Sequence, residues 1–326
     1  MTWPEHIQDI LGGDMVVALS YRTPAGGCVV VPVTTVGMYD PEARTVSTST
    51  SFGLWKKLVA IGNDPRVAFA FHTRLHGYSD QPHYVLVQGD ASFPARPPAP
   101  GESPLPQPGS EEWNRFVPEP KTGRPWSWLG REYYDYRVPI TVQVKRLLAW
   151  PNLEASGEPE VFGEPLPTGD PPPHRDPAKG TAPRVPAKKY RKRFDRARHF
   201  LLGYSGPDAY PMVLPVRPRL DGDEIVVERE GLPPGGRRAG FLGHWFEPKF
   251  VGQGSVVATG WLDGERGRYA PHTAGGYSAP ASEFVYTLAT GLGTKFGYRR
   301  ARKQGFVKDG AWTGPRPDID VRAAAE

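Results

Sequence analysis

Apolar and polar positions alternate along this chain in short runs separated by turn residues. Met15–Tyr21 (MVVALSY) reads as a strand, and Pro24–Gly27 (PAGG) as a turn. Cys28–Val36 is a second apolar, β-branched run, and the turn Tyr39–Arg44 leads to Thr45–Ser51, a strand rich in Thr and Ser. Leu54, Leu58 and Ile61 recur at helical spacing, which predicts a helix over Gly53–Gly62, stopped by Asn63-Asp64-Pro65. Arg66–Phe71, Tyr84–Phe93 and Val138–Trp150 read as three further strands, and His6–Leu11 as a short opening helix. Six strands with one inserted helix and no βαβ repeat point to a small antiparallel barrel rather than an α/β sheet.

A second set of runs follows in the same order. Val31-Pro32-Val33 has a counterpart in Leu214-Pro215-Val216, and each is followed by a turn and a strand. Lys56-Lys57 then corresponds to Arg237-Arg238, expected on a short helix, and Val85–Gly89 corresponds to Val256–Gly260. The expected fold is mainly β (α+β): two split β-barrel domains of antiparallel strands with a few short helices. The first domain spans 1–155, with 94–125 as a Pro-rich covering loop. A Pro-rich linker covers 156–187, the second domain 188–305, and a loose tail 306–326.

Composition narrows the class. Gly and Pro number 38 each, well above the roughly 7% and 5% of an average protein, which disfavours a helical bundle. One cysteine excludes an internal disulfide and a CxxC site, and Cys28, inside an apolar run, is expected to be a buried inert thiol. A lone cysteine and an N-terminus without the pattern of a signal peptide suggest the cytoplasm. No apolar stretch reaches the ~20 residues of a membrane span. The net charge of +5 is concentrated in KKYRKRFDRAR, Lys188–Arg198. A single short basic run is the mark of a solvated face rather than of nucleic-acid binding, which needs a basic surface over a whole domain.

Few motifs carry chemistry. STSTSFGLWKK places Ser49, Thr50 and Ser51 just before a helix that bears Lys56 and Lys57, a combination of donors and positive charge that suits a phosphate. The ordinary alternative is a polar strand end followed by a capped, solvated helix. Gly235-Gly236 before Arg237-Arg238 is a weaker candidate of the same kind. His72, His76 and His83 share a Gly- and Pro-containing loop, a poor platform for metal, and no metal ligands are expected. His244, beside Trp245 and Phe246, reads as a packed polar residue, with a haem ligand as the alternative. Trp126-Ser127-Trp128 and Tyr133–Tyr136 are expected to fill space under a covering loop. No GxSxG elbow in a strand–turn–helix context, Walker motif or GxGxxG fingerprint is present, and Gly291–Lys295 reads as a Gly-rich loop.

The ordered set VVVPVTTV, STSTSFGLWKKLVAIGNDPRVAFAF, YVLVQGDASF and VPITVQVKRLLAW resembles the pyridoxamine 5′-phosphate oxidase-like, FMN-binding split β-barrel superfamily over Met15–Trp150. The second half matches it only in outline. The resemblance implies an FMN cofactor, with deazaflavin, haem or none as alternatives, and a flavin-dependent oxidoreductase acting on a small molecule. The other reading is a non-catalytic split-barrel binding module. It also implies a phosphate held by Ser49, Thr50, Ser51, Lys56 and Lys57. The backbone around Val31, Val33 and Thr34 would lie along the flavin ring, Gly53 would allow close approach, and Arg237 and Arg238 would form a weaker second copy. Many members pair as homodimers, so a tandem chain would supply an intrachain pseudo-dimer. No catalytic acid or base is identifiable.

Overall fold

A computed structural model describes residues 3–35, 38–98, 123, 126–247 and 251–317. Its first half contains α1 (Glu5–Gly13), β1 (Val17–Arg22), β2 (Cys28–Val33), β3 (Tyr39–Asp40) and β4 (Thr45–Ser51). A 3-10 turn at Phe52–Leu54 leads to α2 (Lys56–Asn63), β5 (Arg66–Phe71), β6 (Tyr84–Ser92), α3 (Trp126–Tyr134), β7 (Arg137–Trp150) and β8 (Glu160–Gly163). The strands form one antiparallel sheet in the order β2-β1-β5-β6-β7-β4-β3, with β8 added to β7. Most of the Pro-rich segment 94–125 lies outside the described residues.

The second half contains α4 (Arg191–Phe194), β9 (His199–Ser205), β10 (Pro211–Pro215), β11 (Arg217–Asp221), β12 (Glu224–Glu228), β13 (Gly236–Trp245), β14 (Gly254–Asp263) and β15 (Arg268–Ser278). Its sheet runs β10-β9-β13-β14-β15-β12-β11, the same path as the first with each strand number raised by eight. Both sheets slip register at a glycine in the corresponding strand, Gly89 in β6 and Gly260 in β14. A Cβ there would sit 2.1 Å from the Gln143 carbonyl oxygen in the first case and 2.2 Å from that of Ala270 in the second, so only glycine fits.

Period-two alternation explains the RVAFAF run. Val67, Phe69 and Phe71 of β5 enter the first barrel's core with Leu19, Val87 and Ile140, under Ile10 of α1 and Leu58 of α2. Ala68 and Ala70 face the other way, into a second core with Leu202, Val213, Leu214 and Phe241 of the opposite sheet. The small alanine face lets the two sheets approach. Gly240 seals the contact, since a Cβ there would lie 2.6 Å from the Cys28 carbonyl oxygen. Hydrogen bonds tie the same face: Tyr84 Oη donates to the Val213 carbonyl at 2.6 Å, Gln88 Nε2 to Pro211 at 2.8 Å, and Tyr210 Oη to Asp90 Oδ1 at 2.8 Å. Cys28 is buried there, and burial pushes its thiol up to about 11, so it is inert at neutral pH.

Four expectations need correction. First, the segment around Arg237-Arg238 is strand β13, which pairs with β14 from Gly236 and with β9 from Ala239 onward. Second, the presumed Gly-rich loop at Gly291–Lys295 lies within α5 (Glu283–Lys303), a 21-residue helix. Two of its glycines are needed for packing: Gly291 lies against Leu129, and Gly297 against the backbone of Gly53. Third, α5 and the hairpin of β16 (Val307–Lys308) and β17 (Ala311–Trp312) belong to the first barrel, where Tyr298, Ala301, Val307 and Trp312 enter the core. The boundary at 305 and the loose tail therefore do not hold for 306–317; the residues beyond lie outside the described ones. Fourth, Trp126–Tyr134 is helix α3, which packs with α5.

Replacing Gly297 by Ala tests the docking of α5. The new Cβ would meet the Gly53 carbonyl oxygen at 2.0 Å. A loss of about 1–3 kcal/mol is expected from overpacking, despite the better helix propensity of Ala. An unchanged urea midpoint would contradict this account of the helix.

Candidate functional site

The polar end of β4 meets α2 and the start of β7. Ser51 lies opposite Arg137 in the β4–β7 ladder, and Ser49 opposite Pro139. Arg137 Nε donates to Ser49 Oγ at 2.7 Å, and its guanidinium lies 4.8 Å from the centre of the Tyr133 ring. Thr50 is buried, and its Oγ1 has no hydrogen-bond partner. Thr50 alternates with Ser49 and Ser51 and pairs with Val138, a core residue, so its side chain shares the core face rather than the face of Arg137.

Lys57, in the first turn of α2, is partly buried and has no ion pair or hydrogen bond among the described residues. Burial, with the charge of Arg137 second, pulls its ammonium down to about 8. Two cations thus lie within each other's field, and neither is paired with a carboxylate among the described residues. An anion placed there would relieve both the repulsion and the desolvation.

The other expected residues divide. Ser51 Oγ accepts the Gly53 N–H at 3.1 Å and donates to the Glu132 carbonyl, so it serves as a cap. Lys56 is exposed. Thr48 Oγ1 donates to the Thr34 carbonyl at 2.6 Å, tying β4 to the end of β2. Val31 and Val33 lie on β2, an edge strand whose outer side pairs with no strand. Gly53 does allow a close approach, but the space is taken by Thr294 and Gly297 of α5.

Arg237 is buried, and its guanidinium donates to the carbonyls of Pro171 at 3.1 Å and Pro234 at 2.5 Å. Arg238 donates its N–H to His174 Nδ1 at 3.1 Å. These contacts fasten the Pro-rich segment to the second sheet.

Two features escaped the sequence reading. Arg137 is one; its signal was weak, an arginine just before a strand, because its partner Ser49 is 88 residues away. The other is a cluster of His72, His199 and His244 where the two sheets meet. His72 Nδ1 contacts the Ala70 carbonyl at 3.0 Å, and its Nε2 lies 2.7 Å from His244 Nε2. The His199 ring lies 5.3 Å from that of His244 and 5.8 Å from that of His72. If Nδ1–H of His72 donates to Ala70, then His72 Nε2 accepts from His244 Nε2–H, and both rings are neutral. His244 is therefore a packed, hydrogen-bonded residue. The described residues contain no group of side chains arranged to hold a metal ion.

The basic run resolves into a surface cap. Tyr190 and Phe194 anchor it in the second core, Arg196 lies over Trp245 at 4.6 Å, and Lys188, Lys189, Arg191 and Lys192 are exposed.

No protein-family model matches the chain, and no curated protein matches it in sequence. Solved structures do. General stress protein 26 from Bacillus anthracis str. Sterne is 16% identical and covers 49% of this chain and 97% of its own, with a TM-score of 0.32. A pyridoxamine 5′-phosphate oxidase-related, FMN-binding protein from Nostoc punctiforme is 10% identical and covers 41% of this chain and 73% of its own, with a TM-score of 0.29. A heme binding protein from Mycobacterium smegmatis is 12% identical and covers 93% of this chain and 100% of its own, with a TM-score of 0.27. No helix among the described residues is long and apolar enough to cross a membrane. What this split-barrel chain binds is argued below from its own residues.

Proposed function

We propose that this chain binds flavin mononucleotide, with the phosphate at the junction of β4, α2 and β7. The observation that carries this reading is the pair Lys57 and Arg137, two cations within each other's field and without a carboxylate partner among the described residues. Arg137, held by Ser49, would offer a fixed guanidinium edge to the phosphate oxygens, and Lys57 a point charge. The partly exposed end of β2, at Val31 and Val33, would lie along a planar ring. When bound, the flavin supplies the electron transfer, which would make the chain an oxidoreductase for a small-molecule substrate. We read the two sheets of identical path as copies of one barrel, so that the chain is its own pseudo-dimer. The position in the second barrel that corresponds to β4 lacks this chemistry. There β12 carries Glu224 and Glu228, and Arg268 is already paired with Asp221 at 2.6 Å and Glu224 at 3.0 Å. One flavin per chain is expected.

Flavin titration followed by fluorescence quenching, together with the visible spectrum of the purified protein, tests this. Lys57→Met is expected to weaken FMN binding by about 10–100-fold, the worth of one charge-assisted contact. Protein that gains no flavin absorbance on reconstitution, or that shows a haem spectrum instead, would overturn the reading.

The lowered pKa adds a second expectation. Below about 8 the free protein carries the Lys57 ammonium; above it the charge is lost while the phosphate remains a dianion. FMN affinity should therefore fall as pH rises from 7 to 9.5, and Lys57→Met should flatten that fall. Equal slopes in the two proteins would remove Lys57 from the site.

A further inference from the structure

The C-terminal end of α5 and the β16–β17 hairpin enclose an open cavity of about 660 Å³. Arg299, Arg302, Lys303 and Lys308 line it, with Thr313, and Asp309 is its one acid. Among the described residues none of the four cations forms an ion pair, so these lining side chains carry a net charge of about +3. Cations at the end of a helix commonly answer its dipole, but that explains only the residues on α5. Lys308 comes from a different element and converges on the same space.

The helix end is capped. Gly305, with φ of 79°, closes a Schellman turn: its N–H donates to the Arg302 carbonyl, and the Phe306 N–H to the Ala301 carbonyl, both at 3.0 Å. Thr313 Oγ1 donates to the Gly305 carbonyl at 2.7 Å. The negative end of the helix dipole still points this way, so any attraction for an anion comes from the side chains. The hairpin is held rigidly, because Val307 and Trp312 are buried in the first core and Phe306 stacks on Trp55 at 5.2 Å.

We propose that this cavity binds a compact, multiply phosphorylated anion. Its volume lies within the ~300–1,000 Å³ of small-molecule sites. Its lining has no aromatic ring to stack on a base, which favours a phosphate chain over a nucleobase as the recognised part. The site is distinct from the Lys57–Arg137 pair and does not depend on flavin binding.

The probe is inorganic tripolyphosphate, titrated calorimetrically at low salt into the full chain and into two variants. Binding is expected to weaken roughly tenfold or more in Arg299→Gln/Arg302→Gln/Lys303→Gln, whose substitutions are all on the surface. It is expected to survive in Lys57→Met. No binding at millimolar tripolyphosphate, or equal binding by the triple variant, overturns the proposal. So does a short DNA duplex that displaces tripolyphosphate at far lower concentration, since that would make the cavity part of a nucleic-acid surface.

Discussion

Replacing Arg146 by Met should destabilise the folded chain by about 3 kcal/mol, one of the largest effects expected of any single substitution. Arg146 is only 3% exposed, on β7 between the two sheets. Its Nε donates to Gln88 Oε1 at 2.5 Å, Nη1 to the Pro165 carbonyl at 3.1 Å, and Nη2 to the Asp208 carboxylate. Its guanidinium also lies 5.3 Å from the Tyr210 ring. Methionine keeps much of the volume but leaves Gln88 Oε1 and Asp208 without their donor. Breaking a buried pair from one side costs roughly 3–5 kcal/mol, and Asp208, partly exposed, recovers some of this from water. Because Arg146 and Asp208 belong to different barrels, the double variant Arg146→Met/Asp208→Asn should lose less than the sum of the two single losses. Urea unfolding reads both quantities. A single-variant loss below about 1 kcal/mol would mean that this network does not hold the barrels together.

Acid should destabilise the chain steeply between about pH 6.5 and pH 4. Burial lowers the pKa of His72 to about 3, that of His244 well below its usual value, and that of His199 also. The charges facing the cluster, Arg74 and Arg198, are positive and push the same way. In the unfolded chain these histidines take up protons near pH 6.5, whereas the folded chain refuses them. Their contribution is therefore complete above about 6.5 and lost as pH falls, by about 1.4 kcal/mol per pH unit for each proton. Asp14 opposes this. Burial pushes its carboxyl up to about 7 even against Arg74, so it takes up a proton on folding below that value, but it is one group against three. Unfolding at pH 7.5, 6 and 5 should show the fall, and His72→Leu/His244→Leu should flatten it. Parallel pH profiles for the two proteins would place the acid sensitivity elsewhere.

Much of the first barrel was legible because its strands are short, alternating and bounded by strong turn residues. Arg66–Phe71 and Thr45–Ser51 were read to the residue. The helix α5 was missed because Gly291 and Gly293 suggested a loop, each costing ~1 kcal/mol relative to Ala in a helix. Gly291 and Gly297 are accommodated because Leu129 and Gly53 lie where a side chain would be, a reason that exists only in three dimensions. Arg237-Arg238 was misplaced for a related cause: two cations after a Gly-Pro turn look alike whether helix or strand follows.

The candidate site divides in the same way. Ser49 and Lys57 were readable because they lie within nine residues of one another. The roles of Ser51 as a cap and of Arg137 as the second cation were not, since both depend on the β4–β7 register.

By itself, then, the sequence determined the strand-rich class, the order of the elements, the punctuation of the turns and a local string suited to a phosphate. These are properties of neighbouring residues, governed by backbone dihedrals and a period of two. Only the tertiary structure decided which face of RVAFAF meets the second barrel, that α5 returns to the first, and that His72, His199 and His244 converge. Most of these contacts bring together side chains more than a hundred residues apart, and on the strands a register shift of one residue would turn them to the opposite face.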